Sequence, residues 1–188
     1  MRFLLRKYEF FLRYEQSRKR VLGILFLLIA LFDHIRPLFL LIFAIQLYGE
    51  DSASGKLPLL LVLPFRRWEL LLFSFFTGLL LAGAAVVLGG VVTGDSLSAV
   101  LTIVAAQFAL FWSLSALSAH FTGNNVTIPV TFFLLDFFSG MLPHAAVRYW
   151  NMISPLRHND SMVFFFFVLV FTSFSLLFLG MTRSERWA

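Results

Sequence analysis

Apolar residues along most of this chain fill whole stretches instead of marking one helical face. Four runs carry almost no charge: residues 68–93, 97–119, 126–142 and 162–181. A helix needs about 20 apolar residues to cross the hydrocarbon of a bilayer. Each run therefore predicts a helix that is hydrophobic on all sides, and the third, over 126–142, is short for a full crossing. Gly94-Asp95-Ser96 and Gly123-Asn124-Asn125 separate the first three runs with turn-forming residues. A polar and aromatic stretch over 143–161, with Arg148, Tyr149, Trp150 and Pro155, separates the last two. It reads as an external loop with aromatic residues at the membrane interface.

Two regions before residue 50 follow different patterns. Over residues 1–20, Arg2, Arg6, Glu9, Arg13, Gln16 and Arg20 recur at three-to-four spacing, with Phe3, Leu4, Tyr8, Phe10, Phe11 and Tyr14 between them. That is the pattern of an amphipathic helix lying in the headgroup layer, an elbow ahead of the membrane domain. The same basic residues also serve as a simple positive-inside anchor. Over 21–49, two apolar halves flank Asp33-His34-Ile35-Arg36-Pro37. The stretch is either one long kinked span or a hairpin of two short helices, each about 18 Å long at 1.5 Å per residue.

Charge separates these two topologies. If 21–49 returns to its starting side, 12 of the 15 Lys and Arg residues share one face, leaving Arg36, Arg148 and Arg157 on the other. A single crossing spreads them about nine to five. Loops facing the cytoplasm carry the Lys/Arg excess, so the hairpin is expected, with both termini cytoplasmic and the chain a multi-pass protein of the cell membrane. The predicted fold is an all-α integral membrane protein. It comprises the interfacial helix 1–20 and a single transmembrane domain, 21–188, of about six helices, the first two short.

Composition supports this setting. Hydrophobic residues are 60 % of the chain and charged residues 13 %, with 25 Phe in 188 residues, against roughly 45–50 % apolar and 25 % charged in soluble domains. The absence of Cys from the sequence excludes thiol chemistry and Cys-based metal sites. The net charge of +5 gathers at the ends of apolar runs, so membrane topology accounts for it and nucleic acid is not an expected partner.

The segment 48–74 reads YGEDSASGKLPLLLVLPFRRWELLLFS. Pro58 suits the first turn of a short helix, Leu59–Leu63 supplies one or two apolar turns, and Pro64 ends it. The product is an apolar stub beside Lys56, Arg66 and Arg67, too short to span. It fits a lever received by the groove of a soluble partner, and equally a re-entrant or interfacial loop with no partner. Gly55-Lys56 is not a phosphate loop, because the spacing from Gly49 is one residue too long and Leu57 cannot ligate magnesium.

With Glu50, Gly55, Lys56, Leu57, Pro58, Leu60, Leu61, Pro64, Arg67 and Glu69 in this order, the segment resembles the cytoplasmic loop of the type-2 permease family of ATP-binding-cassette transporters. Where the family often has Gly-Lys, this chain has Phe73-Ser74. The stretch MLPHAAVRYWNMISPLRHND resembles the family's external segment before the last span. The resemblance implies a half-transporter that dimerises with a second copy or a related chain. Separate ATPase subunits would then bind the loop 50–67 and carry ATP and magnesium, with no cofactor in this chain.

Polar groups within spans default to a functional hypothesis. Asp136 stands about ten residues into the third run, near the midplane of a full span. It is either an acid on the substrate path or a structural acid satisfied by a neighbour. Gln107, Ser113, Ser115 and Ser118 give 97–119 a polar side, and Gln107 and Ser113 join Asp136 as substrate-path candidates. Ala105, Ala109 and Ser113, like Gly78 and Ala82, form small-residue ladders that permit close helix approach. Pro129 fits a first helical turn or a kink. His34, His120, His144 and His158 show no metal-binding spacing. Asn125-Val126-Thr127 is a formal glycosylation sequon, placed on the cytoplasmic side by the topology.

The expected function is an exporter permease without catalysis of its own, moving an unidentified substrate by alternating access. The alternatives are an ATP-independent membrane channel or assembly scaffold, and an intramembrane enzyme, for which Asp136 is the one acid at depth.

Overall fold

Long apolar runs without Pro or polar interruption form continuous helix, because a helix satisfies its own backbone hydrogen bonds while exposing only side chains. The computed structural model describes residues 8–9, 19–32, 35–49, 67–93, 97–139, 154 and 162–181, and no strand occurs among them. Six α-helices follow in chain order: α1 (Lys19–Leu31), α2 (Arg36–Ala44), α3 (Arg67–Thr93), α4 (Leu97–Thr122), α5 (Thr127–Ser139) and α6 (Met162–Met181). A π-helical turn, Ile45–Gly49, continues α2. Two stretches, Glu69–Gly89 and Val100–Thr122, are long and apolar enough to cross a membrane.

The bounds of α3 and α6 match the apolar runs to within one residue. Helix α4 runs past the expected end at Ala119 to Thr122, and Gly123 follows at φ 67°, a left-handed conformation that a residue without Cβ adopts readily. Helix α5 starts within one residue of the run expected over 126–142, and its 13 described residues span about 20 Å at 1.5 Å per residue. Its start is set by side chains: the Val126 N–H donates to Asn124 Oδ1 at 2.9 Å, and the Ile128 N–H to Ser118 Oγ at 3.2 Å. These acceptors take up N–H groups that a helix start leaves without partners. Residues 140–142 lie outside the described residues.

Helix α4 is the centre of the bundle, packed against α2 with its π-turn, α3, α5 and α6. Aromatic rings fill the seams. Phe108 of α4 meets Phe43 of α2 and Phe75 of α3, both at 6.0 Å between centroids, and Phe75 also stands edge-on to Trp112 at 5.1 Å. Phe111 meets Phe133 of α5 at 6.2 Å.

Three contacts place described residues of the first fifty against α3. The Tyr8 hydroxyl hydrogen-bonds Thr77 Oγ1 at 3.0 Å. Ala30 lies against Gly89, so closely that a Cβ on that glycine would meet the Ala30 carbonyl carbon at 3.2 Å and Cα at 3.3 Å. Leu47 lies over Gly78. Between Ala30 and Leu47 the chain thus doubles back along α3, from the level of Gly89 to that of Gly78, so α1 and α2 form a helical hairpin. Its tip is held by the Arg36 side chain, buried, whose Nε donates to the Ile29 carbonyl at 3.2 Å, and by Phe32 edge-on to Phe39 at 6.2 Å. Pro37 sits in the first turn of α2, where its missing N–H is not needed.

Polarity is distributed inside out. Leu31, Leu80, Phe166, Leu169 and Phe174 are each more than 60 % exposed, whereas Ser74, Gln107, Ser113, Ser115, Ser118, Asn125, Asp136 and Ser175 are each at most 5 % exposed.

Candidate functional site

The expected ATPase-coupling residues Glu50, Gly55, Lys56, Leu57, Pro58, Leu60, Leu61 and Pro64 lie outside the described residues. So do the expected external loop over 143–161, apart from Ser154, and most of the interfacial segment. The end of the coupling motif is described. Arg67 is the first residue of α3, and Glu69, in its first turn, is buried. A carboxylate there is favourably placed against the positive end of the helix dipole.

The three substrate-path candidates do not share one face. Gln107 and Ser113 are six residues apart on α4, which at 100° per residue sets them about 120° apart around the helix. Both are buried. Asp136, fully buried, is the tenth residue of α5, and the Ser139 hydroxyl donates to its backbone carbonyl at 2.8 Å. Helices α4 and α5 run antiparallel, and Phe111 meets Phe133. One turn back on α4 is Gln107 and one turn on in α5 is Asp136, so the register brings them to the same level. Ser113 falls on the other side, one turn beyond Ala109, and its hydroxyl has no hydrogen-bond partner among the described residues.

A polar cluster at the α4–α5 turn was not singled out from the sequence. Ser115 Oγ donates to the Asn125 carbonyl at 3.2 Å, Ser118 Oγ to the Asn124 carbonyl, and Thr122 Oγ1 to the Asn124 carbonyl at 2.9 Å. Asn125, read from the sequence as part of a sequon, turns its amide inward and donates from Nδ2 to the Ile45 carbonyl at 2.9 Å, 80 residues away. It ties this turn to the start of the π-turn. Such wide turns leave carbonyls in need of outside donors and recur at functional sites. The spacing Ser115, Ser118, Thr122 on one helix stripe, ending at Asn-Asn, was the readable signal. Nearby, the Trp112 indole N–H donates to Ser74 Oγ at 3.1 Å and closes α4 onto α3.

An open cleft of about 590 Å³ runs between α4 and α6, with Phe75 of α3 at its side. It exists because α4 presents Ala106 and Ala109 there, while α6 presents Phe165, Val168 and Thr172. The described residues hold no group of three or more His, Asp or Glu side chains able to share a metal ion. In comparisons with known proteins, no family model, no curated protein and no solved structure matches this chain.

Proposed function

We propose that this chain is the transmembrane permease subunit of an ATP-driven exporter, working as a homo- or heterodimer with separate ATPase subunits. The bilayer setting rests on the inside-out polarity. Exposed Leu and Phe on the bundle surface would drive association in water, while serines, an asparagine and an aspartate are buried inside the bundle, several of them bonded to backbone carbonyls, where lipid offers no partners. The assignment to this transporter class rests on one observation: the order and spacing of the motif from Glu50 to Glu69 in the sequence, whose last residues, Arg67 to Glu69, open α3, the longest described helix, which packs on the central α4.

In this reading the 58–64 stub receives the motion of an ATPase and passes it along α3. The partner's unequal affinity for two states of the permease drives the change of access. The contact of α3 with the hairpin at Thr77, Gly78 and Gly89 carries that motion into the first fifty residues. Both termini and the 50–67 loop are cytoplasmic.

The chain has no Cys, so single-Cys variants Lys56→Cys and Arg66→Cys report topology cleanly. A membrane-impermeant maleimide is expected to label them in inside-out vesicles and not in right-side-out ones. The native complex, purified in mild detergent, is expected to contain an ATP-hydrolysing subunit that cross-links to the same positions. Labelling from the outer face alone, or a complex without any ATPase, overturns the proposal. Conductance without ATP favours the channel or scaffold reading.

A further inference from the structure

The stretch Ala44-Ile45-Gln46-Leu47-Tyr48 has no proline and no glycine, so nothing local bars it from continuing α2 as α-helix. It forms a π-turn over Ile45–Gly49 instead. Turns of that width are rare, because each bond runs to the fifth residue and not the fourth. Contacts with other elements hold this one open.

Two such contacts are in place. At the start of the turn the Ile45 carbonyl accepts the Asn125 amide at 2.9 Å. In its middle Leu47, buried, lies over Gly78 of α3 beside Phe108 of α4. The donor is itself pinned. The Asn125 carbonyl takes the Ser115 hydroxyl, and the Asn124 carbonyl takes those of Ser118 and Thr122. Asn125 is 5 % exposed, so its amide is shielded from water that would compete for it.

The 50–67 loop starts where this turn ends, at Gly49, and leads to Arg67 at the start of α3. The loop therefore has two roots, and Leu47 on Gly78 joins them. Closing the turn to α register moves each bond from the fifth residue to the fourth. The Ile45 carbonyl then meets the Gly49 N–H and leaves the Asn125 amide. Everything after the turn rotates by one residue's worth, about 100°, and a side chain about 5–6 Å from the helix axis moves by about 8 Å.

We propose that the π-turn Ile45–Gly49 is a two-position joint at the root of the 50–67 loop, latched in its wide form by the Asn125 amide and closed to α-helix when the loop is displaced. Its use as a second output for an ATPase rests on the permease reading above. The joint and its latch rest only on the contacts at Ile45 and Leu47.

The chain has no Cys, so nitroxides on Asp51→Cys and Phe121→Cys report the loop root against the end of α4. Their distance is read by double electron–electron resonance in the purified full-length chain. Asn125→Leu, close in size but without a donor, and Asn125→Ala are expected to move the pair from one peak to a second several Å away. The ratio of the peaks should change by about 5- to 150-fold, the loss of one bond to a buried acceptor. A control pair, Ile35→Cys with Phe121→Cys, both positions exposed, is expected to stay fixed. Deleting Gln46 takes the extra residue out of the turn. The loop then keeps its first position in α register, and adding Asn125→Leu is expected to move nothing.

An unchanged distance in both Asn125 variants, one broadened peak in place of two, an equal shift in the control pair, or a shift that survives the Gln46 deletion overturns the joint. In the native complex a non-hydrolysable ATP analogue is expected to move the chain with Asn125 in place toward the second peak. A complex that holds an ATPase and shows no such shift overturns the coupling use of the joint. A complex without any ATPase overturns the permease reading, while the measurements on the isolated chain still decide the joint.

Discussion

Gly89→Ala separates backbone contact from helix propensity. In an ordinary helix interior the change stabilises by up to about 1 kcal/mol. Here the new methyl would run into the carbonyl oxygen of Ala30 and approach its carbonyl carbon and Cα at 3.2 and 3.3 Å. These are backbone atoms, so no rotamer relieves the overlap and α1 must move off α3. Overpacking of this kind costs about 1–3 kcal/mol, and the net expectation is a loss of about 0–2 kcal/mol after the propensity gain. Two controls carry the same chemistry without the clash. At Gly83 a methyl would find Leu101 Cδ2 at 3.8 Å, an ordinary contact, and at Gly23 nothing within 4 Å. Gly83→Ala and Gly23→Ala are expected to be neutral or stabilising by about 0.5–1 kcal/mol. Ala30→Gly does not rescue Gly89→Ala, because glycine keeps every atom that the methyl would strike. The assay is equilibrium unfolding in mixed micelles, read by circular dichroism. Equal stability of Gly89→Ala and Gly83→Ala, or rescue by Ala30→Gly, would refute the close approach of α1 and α3.

Asn125→Ala leaves the Ile45 carbonyl without its side-chain donor and is expected to destabilise by about 1–3 kcal/mol in the same titration, with Asn125→Asp no better because a carboxylate cannot donate. Ser118→Ala removes the cap on the Ile128 N–H and the bond to the Asn124 carbonyl, an expected loss of about 0.5–2 kcal/mol. Ser74→Ala strips the Trp112 indole of its acceptor and is expected to cost about 1–3 kcal/mol, whereas the double change with Trp112→Phe costs less than the two singles summed; additive losses would show that the bond contributes nothing. Tyr8→Phe keeps the ring on Phe73, 5.3 Å between centroids, and loses one hydrogen bond, about 0.5–1.5 kcal/mol; a loss near zero would show that residue 8 does not anchor to α3.

Which helices exist was legible along the chain. Runs of 20 or more apolar residues admit one regular structure, and Gly-Asp-Ser and Gly-Asn-Asn mark where it stops, so α3, α4 and α6 were placed within three residues at either end. The start of the third run was also legible, to within one residue, although composition does not report which side chains cap it. Asn124 and Ser118, from the turn and the preceding helix, set the start of α5 after Val126.

The sequence by itself determined an all-helical chain with an apolar exterior, since that depends on the totals of apolar surface and on local hydrogen bonding. It also raised the hairpin over 21–49, from charge counts alone. Only the tertiary structure decided which residues meet: that Tyr8 and Leu47 sit at one level of α3, that Gly89 admits the backbone of Ala30, that Asn125 reaches Ile45, and that Gln107 and Ser113 face apart. These are contacts between helices. In runs hydrophobic on every side no periodic stripe announces the inward face, so helix rotation and register follow from the fit of small residues against large ones and of each buried donor to an acceptor, and that fit is defined only once the helices are assembled.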